Sequence, residues 1–285
     1  MIEVLLNPLH YAFMQRGMLA ALMIGILCSV VGCYVVLRSM AFMGDALAHA
    51  ILPGIAAAYL LHGNLTLGAL AAAVIVALGI GGFTRRGGIK EDTAIGILFT
   101  AMLALGVAMI SSIRTYAADL SHILFGNLLG VSTGDLWLTG GLGAAVLATI
   151  AVCYKQFSVI SFDPVLAATL RLPAEFLRNL MYILLAVTIV ISMQTVGVGL
   201  VAAMLVTPAA TASLLTRRLL SMMAVAAGVG AVSSVIGLYI SYYADVASGS
   251  VIVLVSTAFF ILAFLFAPGR GIVSRKYVSH RSLSI

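Results

Sequence analysis

Apolar stretches of about 15 to 22 residues, long enough to cross the core of a bilayer, recur from one end of the chain to the other. They run over residues 17–37, 46–61, 64–84, 93–112, 135–153, 178–197, 199–215, 219–241 and 250–267. None shows the strict apolar–polar alternation over about ten residues that a barrel strand would need. The pattern predicts an all-α fold, a polytopic membrane helix bundle of eight or nine transmembrane helices. The count turns on the amphipathic start and on a break at 197–201. Residues 1–15 mix Glu3, Asn7, Pro8 and His10 with Leu, Tyr, Phe and Met, and read as a short interfacial helix. A single transmembrane domain is then expected over 16–268, followed by a basic tail at 269–285. Met1-Ile-Glu-Val lacks the basic leader of a cleavable signal, so the first span is expected to do the targeting.

Composition supports this pattern and closes off other classes. The 285 residues are 63% hydrophobic and only 8% charged, with a mean hydropathy of +1.19. A soluble domain of this length would need a charged surface that this chain cannot supply. The formal charge of +6 is spread in short clusters between apolar runs, so it predicts lipid contact and no nucleic-acid partner. With nine spans and a cytoplasmic C-terminus, all but Arg16 and Arg114 of the fifteen lysines and arginines fall inside. The N-terminus is then outside. Cys28, Cys33 and Cys153 lie in apolar stretches without Cys-x-x-Cys spacing, and read as small buried hydrophobes.

Candidate chemistry is sparse, which gives weight to the little there is. Asp45 and His49 stand one helical turn apart in Gly44-Asp-Ala-Leu-Ala-His-Ala-Ile-Leu-Pro53-Gly54, so both side chains leave the same face. A carboxylate in the middle of a membrane helix costs roughly 2.5–3.5 kcal/mol unless it meets a cavity, a partner or an ion. Two readings compete. Asp45 is an N-cap and His49 a satisfied core residue, or the pair is half of a divalent-metal site. Three features favour the metal: the shared face, the backbone disturbance at Pro53-Gly54, and the near-absence of ionisable groups in the other spans. A two-fold dimer would gather two aspartates and two histidines about one axis. Asp245, near the outer end of the eighth span, is a candidate for attracting cations at the outer mouth, against the plainer role of a solvated loop aspartate.

The second and seventh segments are short, and each carries a proline, Pro53 or Pro208; interrupted helices of this kind often line a path. Two inner connections offer docking candidates. Asp163-Pro164 is a helix start and Leu172-Pro173 a stop, predicting a short surface helix between them. Thr207-Pro208-Ala209-Ala210-Thr211 opens a second stretch that ends small, polar and basic at Arg217-Arg218. On the outer side, 113–134 holds Asp119 and His122 and is expected to lie on the surface or re-enter the mouth. Enzyme motifs are missing. Gly82-Phe-Thr-Arg-Arg-Gly87-Gly88 lacks the Lys and Ser/Thr of a phosphate loop, so the chain is not expected to hydrolyse ATP in that way, and any such energy source would be a separate subunit.

The stretch Met40–Gly54 resembles the permease family of bacterial ATP-driven importers for manganese, zinc and iron(II). The resemblance continues through Leu124-Phe-Gly-Asn127, Ser161-Phe-Asp-Pro164 with Ala167 and Leu172-Pro173, Leu205-Val-Thr-Pro-Ala-Ala-Thr211, and Gly249. It covers about residues 12–270. It implies a fold related to type II ABC importer permeases, with fewer spans than the vitamin B12 and siderophore permeases. It also implies a homodimer, two cytoplasmic ABC ATPase subunits and an extracytoplasmic metal-binding protein. Asp45 and His49 match the family positions that coordinate the transported metal, Mn²⁺ as first expectation and Zn²⁺ or Fe²⁺ as alternatives, with no permanently bound cofactor. The helix after Pro208 would couple to the ATPase, with 161–175 nearby. An ion-gradient-driven secondary transporter is the alternative of a different class. One position departs from the family: Arg171 stands before Leu172-Pro173, where glycine is common.

Overall fold

A computed structural model describes residues 7–112, 128–162, 164–268 and 271. Within them nine helical spans are long and apolar enough to cross a membrane, and they match the nine apolar segments to within a few residues. In chain order the helices are α1 (Ala12–Leu37), α2 (Phe42–Ala50), α3 (Leu52–Leu60), α4 (Leu65–Gly87), α5 (Glu91–Ser111), α6 (Thr133–Val152), α7 (Tyr154–Phe162), α8 (Pro164–Thr169), α9 (Ala174–Val196), α10 (Val198–Leu215), α11 (Leu219–Ala244) and α12 (Ser248–Phe266). The first helix starts at Ala12, taking in residues expected to lie in the interfacial segment, and a short 3-10 turn at Asn7–His10 precedes it. The expected break at 197–201 narrows to Gly197 alone, which separates α9 from α10 at φ 86°. The element expected around Asp119, His122 and Leu124–Asn127 lies outside the described residues, as does Asp163.

Local signals set where these helices begin and stop. Asn64 caps α4 by accepting from the backbone N–H of Thr66 (2.9 Å) and Leu67 (3.3 Å). Ser132 and Asp135 close a reciprocal capping box at the start of α6. The Gly82–Gly88 stretch continues α4 through Gly87 and ends it on Gly88 at φ 61°, a helix stop and not a phosphate cradle. Pro164 opens a short helix, α8, that stops ahead of Leu172-Pro173, as predicted.

Two groups of helices make up the bundle. α2, α3, α4 and α5 pack on one another; α1, α10, α11 and α12 form a second group; α9 touches both. With few charges to join them, contact depends on small residues that let backbones approach. A β-carbon on Gly54 would stand 2.2 Å from the Gly68 carbonyl oxygen, and one on Gly68 would stand 2.4 Å from that of Gly54. Side-chain hydroxyls add links between helices: Ser234 donates to the Ala21 carbonyl (3.0 Å), and Thr139 pairs with Thr195 (3.3 Å). All three cysteines are free, with Cys28 and Cys33 buried as expected.

Candidate metal path between two helices

The second span is broken, and the break falls just after the candidate pair. α2 ends at Ala50, Ile51 bridges, and Pro53 sits in the first turn of α3, where its missing N–H costs no intrahelical bond. Met43, Leu47, Ala48 and Ala50 are fully buried along α2. Asp45 and His49 leave the helix on the other side, with side chains 54% and 31% exposed. An N-cap role for Asp45 is ruled out, because the cap position belongs to Ala41 and Asp45 lies inside the helix.

His49 is oriented within its own helix. Its Nδ1 lies 3.0 Å from the Asp45 carbonyl oxygen. A carbonyl can only accept, so Nδ1 carries a proton, and in the neutral ring Nε2 keeps the lone pair, the arrangement usual for a metal-ligating imidazole. The Asp45 carboxylate lies 3.6 Å from the same ring nitrogen, and the ring stands edge-on to Phe99 of α5, with centroids 5.9 Å apart.

α5 supplies the opposite wall. A cavity of about 220 Å³ runs between the helices, lined by Phe42, Asp45, Ala46, Asp92, Ile95, Gly96 and Phe99. Asp92 was not anticipated, since the fourth apolar segment was expected to start one residue later. The signal that could have found it is the pair Glu91-Asp92 opening an apolar helix. Among the described residues, no group of three or more His, Cys, Asp or Glu gathers closely enough to enclose an ion. One copy of the chain thus presents the Asp45 and Asp92 carboxylates along an open groove, with the His49 imidazole against the Phe99 ring of its wall.

The other candidates lie elsewhere. Thr207, Pro208, Ala209, Ala210 and Thr211 fall within α10, where Pro208, Ala209 and Thr211 are buried and the Thr211 hydroxyl donates to the Thr207 carbonyl at 2.8 Å. Exposure on that stretch begins at Leu215 and continues at Arg217 and Arg218. The region around α8 is different: Phe162, Val165, Leu166, Leu170 and Phe176 are all exposed apolar side chains. Pro164 opens α8. Asp245 is exposed in the left-handed position that ends α11, φ 54°, a stop that aspartate tolerates better than most residues.

Known proteins resemble this chain along nearly its whole length. The ABC 3 transport family matches residues 10–267. The manganese transport system membrane protein MntC of Halalkalibacterium halodurans is 46% identical over 274 residues, 96% of this chain and 94% of that protein. A probable iron transport system membrane protein of Haemophilus influenzae is 42% identical over 270 residues, 95% of this chain and 99% of that one. The structure of PsaBC from Streptococcus pneumoniae in complex with Fab superposes with a TM-score of 0.85 at 40% identity, covering 99% of this chain and 100% of that one. On this likeness the chain belongs to the ABC 3 transport family.

Proposed function

We propose that this protein is the membrane permease of an ATP-driven importer that carries a divalent transition metal, Mn²⁺, into the cytoplasm. The observation that carries the proposal is the Asp45–His49 pair on the exposed side of an otherwise buried helix, with Asp45 lining a groove and the His49 ring edge-on to Phe99 of its opposite wall. Manganese relatives support the choice of metal, and the iron relative makes Fe²⁺ the chief alternative, with Zn²⁺ beside it. Zinc outcompetes manganese at most mixed nitrogen–oxygen sites, so selectivity would rest largely on an extracytoplasmic metal-binding protein.

In this scheme two copies of the permease face each other, bringing two Asp45 and two His49 to one axis. Two cytoplasmic ATPase subunits supply the energy, as the chain has no nucleotide-binding motif of its own. Their docking surface is the exposed apolar patch on and around α8, together with the basic end of α10 at Leu215–Arg218. Thr207–Thr211 would then transmit movement through the helix core, because most of that stretch is buried. The positive-inside bias places the C-terminus in the cytoplasm and Asp245 at the outer mouth of a plasma-membrane protein. Metal binding is transient, and no resident cofactor is needed.

Metal uptake into proteoliposomes holding the full complex, compared for Mn²⁺, Zn²⁺ and Fe²⁺, tests the scheme. Asp45→Ala and His49→Ala abolish uptake and leave assembly intact if it is correct; normal uptake by both variants would sink it. A secondary transporter would instead work without any ATPase subunit.

A further inference from the structure

Glu91 opens α5, the helix that walls the groove opposite Asp45, and one of its oxygens holds two other parts of the molecule. Oε1 accepts from Arg38 Nη2 at 2.9 Å and from the Tyr182 hydroxyl at 2.8 Å. The Arg38 guanidinium also lies over the Tyr182 ring, 5.7 Å from its centroid. α5 packs mainly on α2, α3 and α4, so these bonds tie its first turn to α1 and α9. Both carboxylate and guanidinium are mostly buried, 23% and 14% exposed, where solvent screens such a pair poorly.

What Arg38 is attached to gives the contact its meaning. It ends α1 and leads directly into α2 through a tight, hydrogen-bonded turn: Ser39 sits at φ 56°, its N–H reaches the Val36 carbonyl at 3.1 Å, and the Met40 N–H reaches that of Val35 at 2.9 Å. Met40 is buried and in turn accepts from the Met43 N–H at 2.9 Å. The ion pair therefore joins the turn that leads into α2 to the start of α5; α2 and α5 are the two helices whose facing sides carry Asp45 and Asp92. Asp92 is the residue after Glu91, so any shift of Glu91 moves a groove-lining carboxylate. Arg38 Nη1 is buried without a partner, which leaves the guanidinium dependent on Glu91 for compensation.

We propose that Arg38, Glu91 and Tyr182 are positioning residues for metal transit: their shared hydrogen bonds clamp the turn that leads into α2 to the first turn of α5 and set the width of the groove holding Asp45. This rests on the groove being the metal path, as put forward above. No metal contact is assigned to the three residues; they act through the walls they hold.

Two measurements on the full complex test it, one independent of metal. Cysteines at Phe42→Cys and Gly96→Cys, in a Cys153→Ser background, flank the groove; a β-carbon at Gly96 meets open space. Cross-linking with thiol reagents of graded length reports groove width. Glu91→Gln should shift the preference from short to longer reagents, and Tyr182→Phe should do so to a smaller extent. The same variants should raise the half-saturating Mn²⁺ concentration for uptake by about ten-fold with the ATPase still bound, the usual scale for losing groups that orient a metal site. Arg38→Met/Glu91→Gln removes the unpaired buried charge but not the need for a clamp, so it should remain impaired. Recovery in that double variant would reduce the effect to charge burial and overturn the proposal. Unchanged cross-linking in Glu91→Gln and Tyr182→Phe would also overturn it. A widened groove with normal uptake would show that the clamp exists but that metal travels elsewhere, which defeats the path itself.

Discussion

The Nδ1–H of His49 is held by the Asp45 backbone carbonyl, 3.0 Å away and one turn earlier in the same helix. The proposed metal ligand and its orienting group thus come from one short segment, and Nε2 is the nitrogen left to meet an ion. Glutamine can place a polar atom near the Nε2 position, whereas asparagine reaches only the Nδ1 position. His49→Gln is expected to keep measurable uptake and His49→Asn to lose about ten-fold or more. Equal loss in both variants would show that Nε2 has no special part.

Asp92 lines the groove with Asp45 but adds no close third ligand. By the positive-inside orientation the start of α5 lies at the cytoplasmic end, so the effect of Asp92 is expected on the ion's exit. Asp92→Asn should lower the maximal uptake rate by about two- to ten-fold, with a difference that shrinks as ionic strength rises. Initial rates at low and high salt check this, and a salt-independent defect would point to a structural role.

Gly32 of α1 packs against the backbone of α10 so closely that a β-carbon would stand 1.8 Å from the Leu205 carbonyl oxygen. Backbone cannot move aside as a side-chain tip can. Gly32→Ala is expected to destabilise the bundle by about 1–3 kcal/mol, the range for overpacking, and to lower the thermal transition in detergent. A control at Gly199, where a β-carbon meets open space, should be neutral on this count.

Arg171 occupies a left-handed backbone position, φ 51°, in the turn after α8. This accounts for the preference for glycine there in the family that the sequence resembles. Arg171→Gly is expected to relieve strain of about 1 kcal/mol, part of it returned as unfolded-state entropy. A small rise in thermal stability with unchanged uptake is the expected result.

The exposed apolar side chains of α8 and its flanks lie in a region also suited to docking an ATPase. Leu166→Ser with Leu170→Ser should cut recovery of that subunit in co-purification by roughly ten-fold, as loss of a central apolar anchor does. Thr211→Ser, buried in α10, should leave recovery intact.

Lipid makes some of this molecule legible in one dimension. Apolar length alone located the helical spans of the described residues to within a few residues and left their number at eight or nine, because a bilayer leaves backbone polar groups no alternative to helix. Spacing alone put Asp45 and His49 on one face, since 3.6 residues per turn is a local property. Proline at 164, with proline at 173, bracketed α8 for the same local reason. Tertiary structure decided the rest. Thr207–Thr211 read as the opening of a docking stretch, yet Pro208, Ala209 and Thr211 are buried. Asp92 and Glu91 are neighbours in sequence with separate fates, one facing the groove and one held by Arg38 and Tyr182 from helices distant in the chain. Which side of a helix meets a neighbour depends on how uniformly apolar surfaces pack, and in lipid hydrophobicity does not distinguish those sides; close backbone contacts such as Gly32 on Leu205 do.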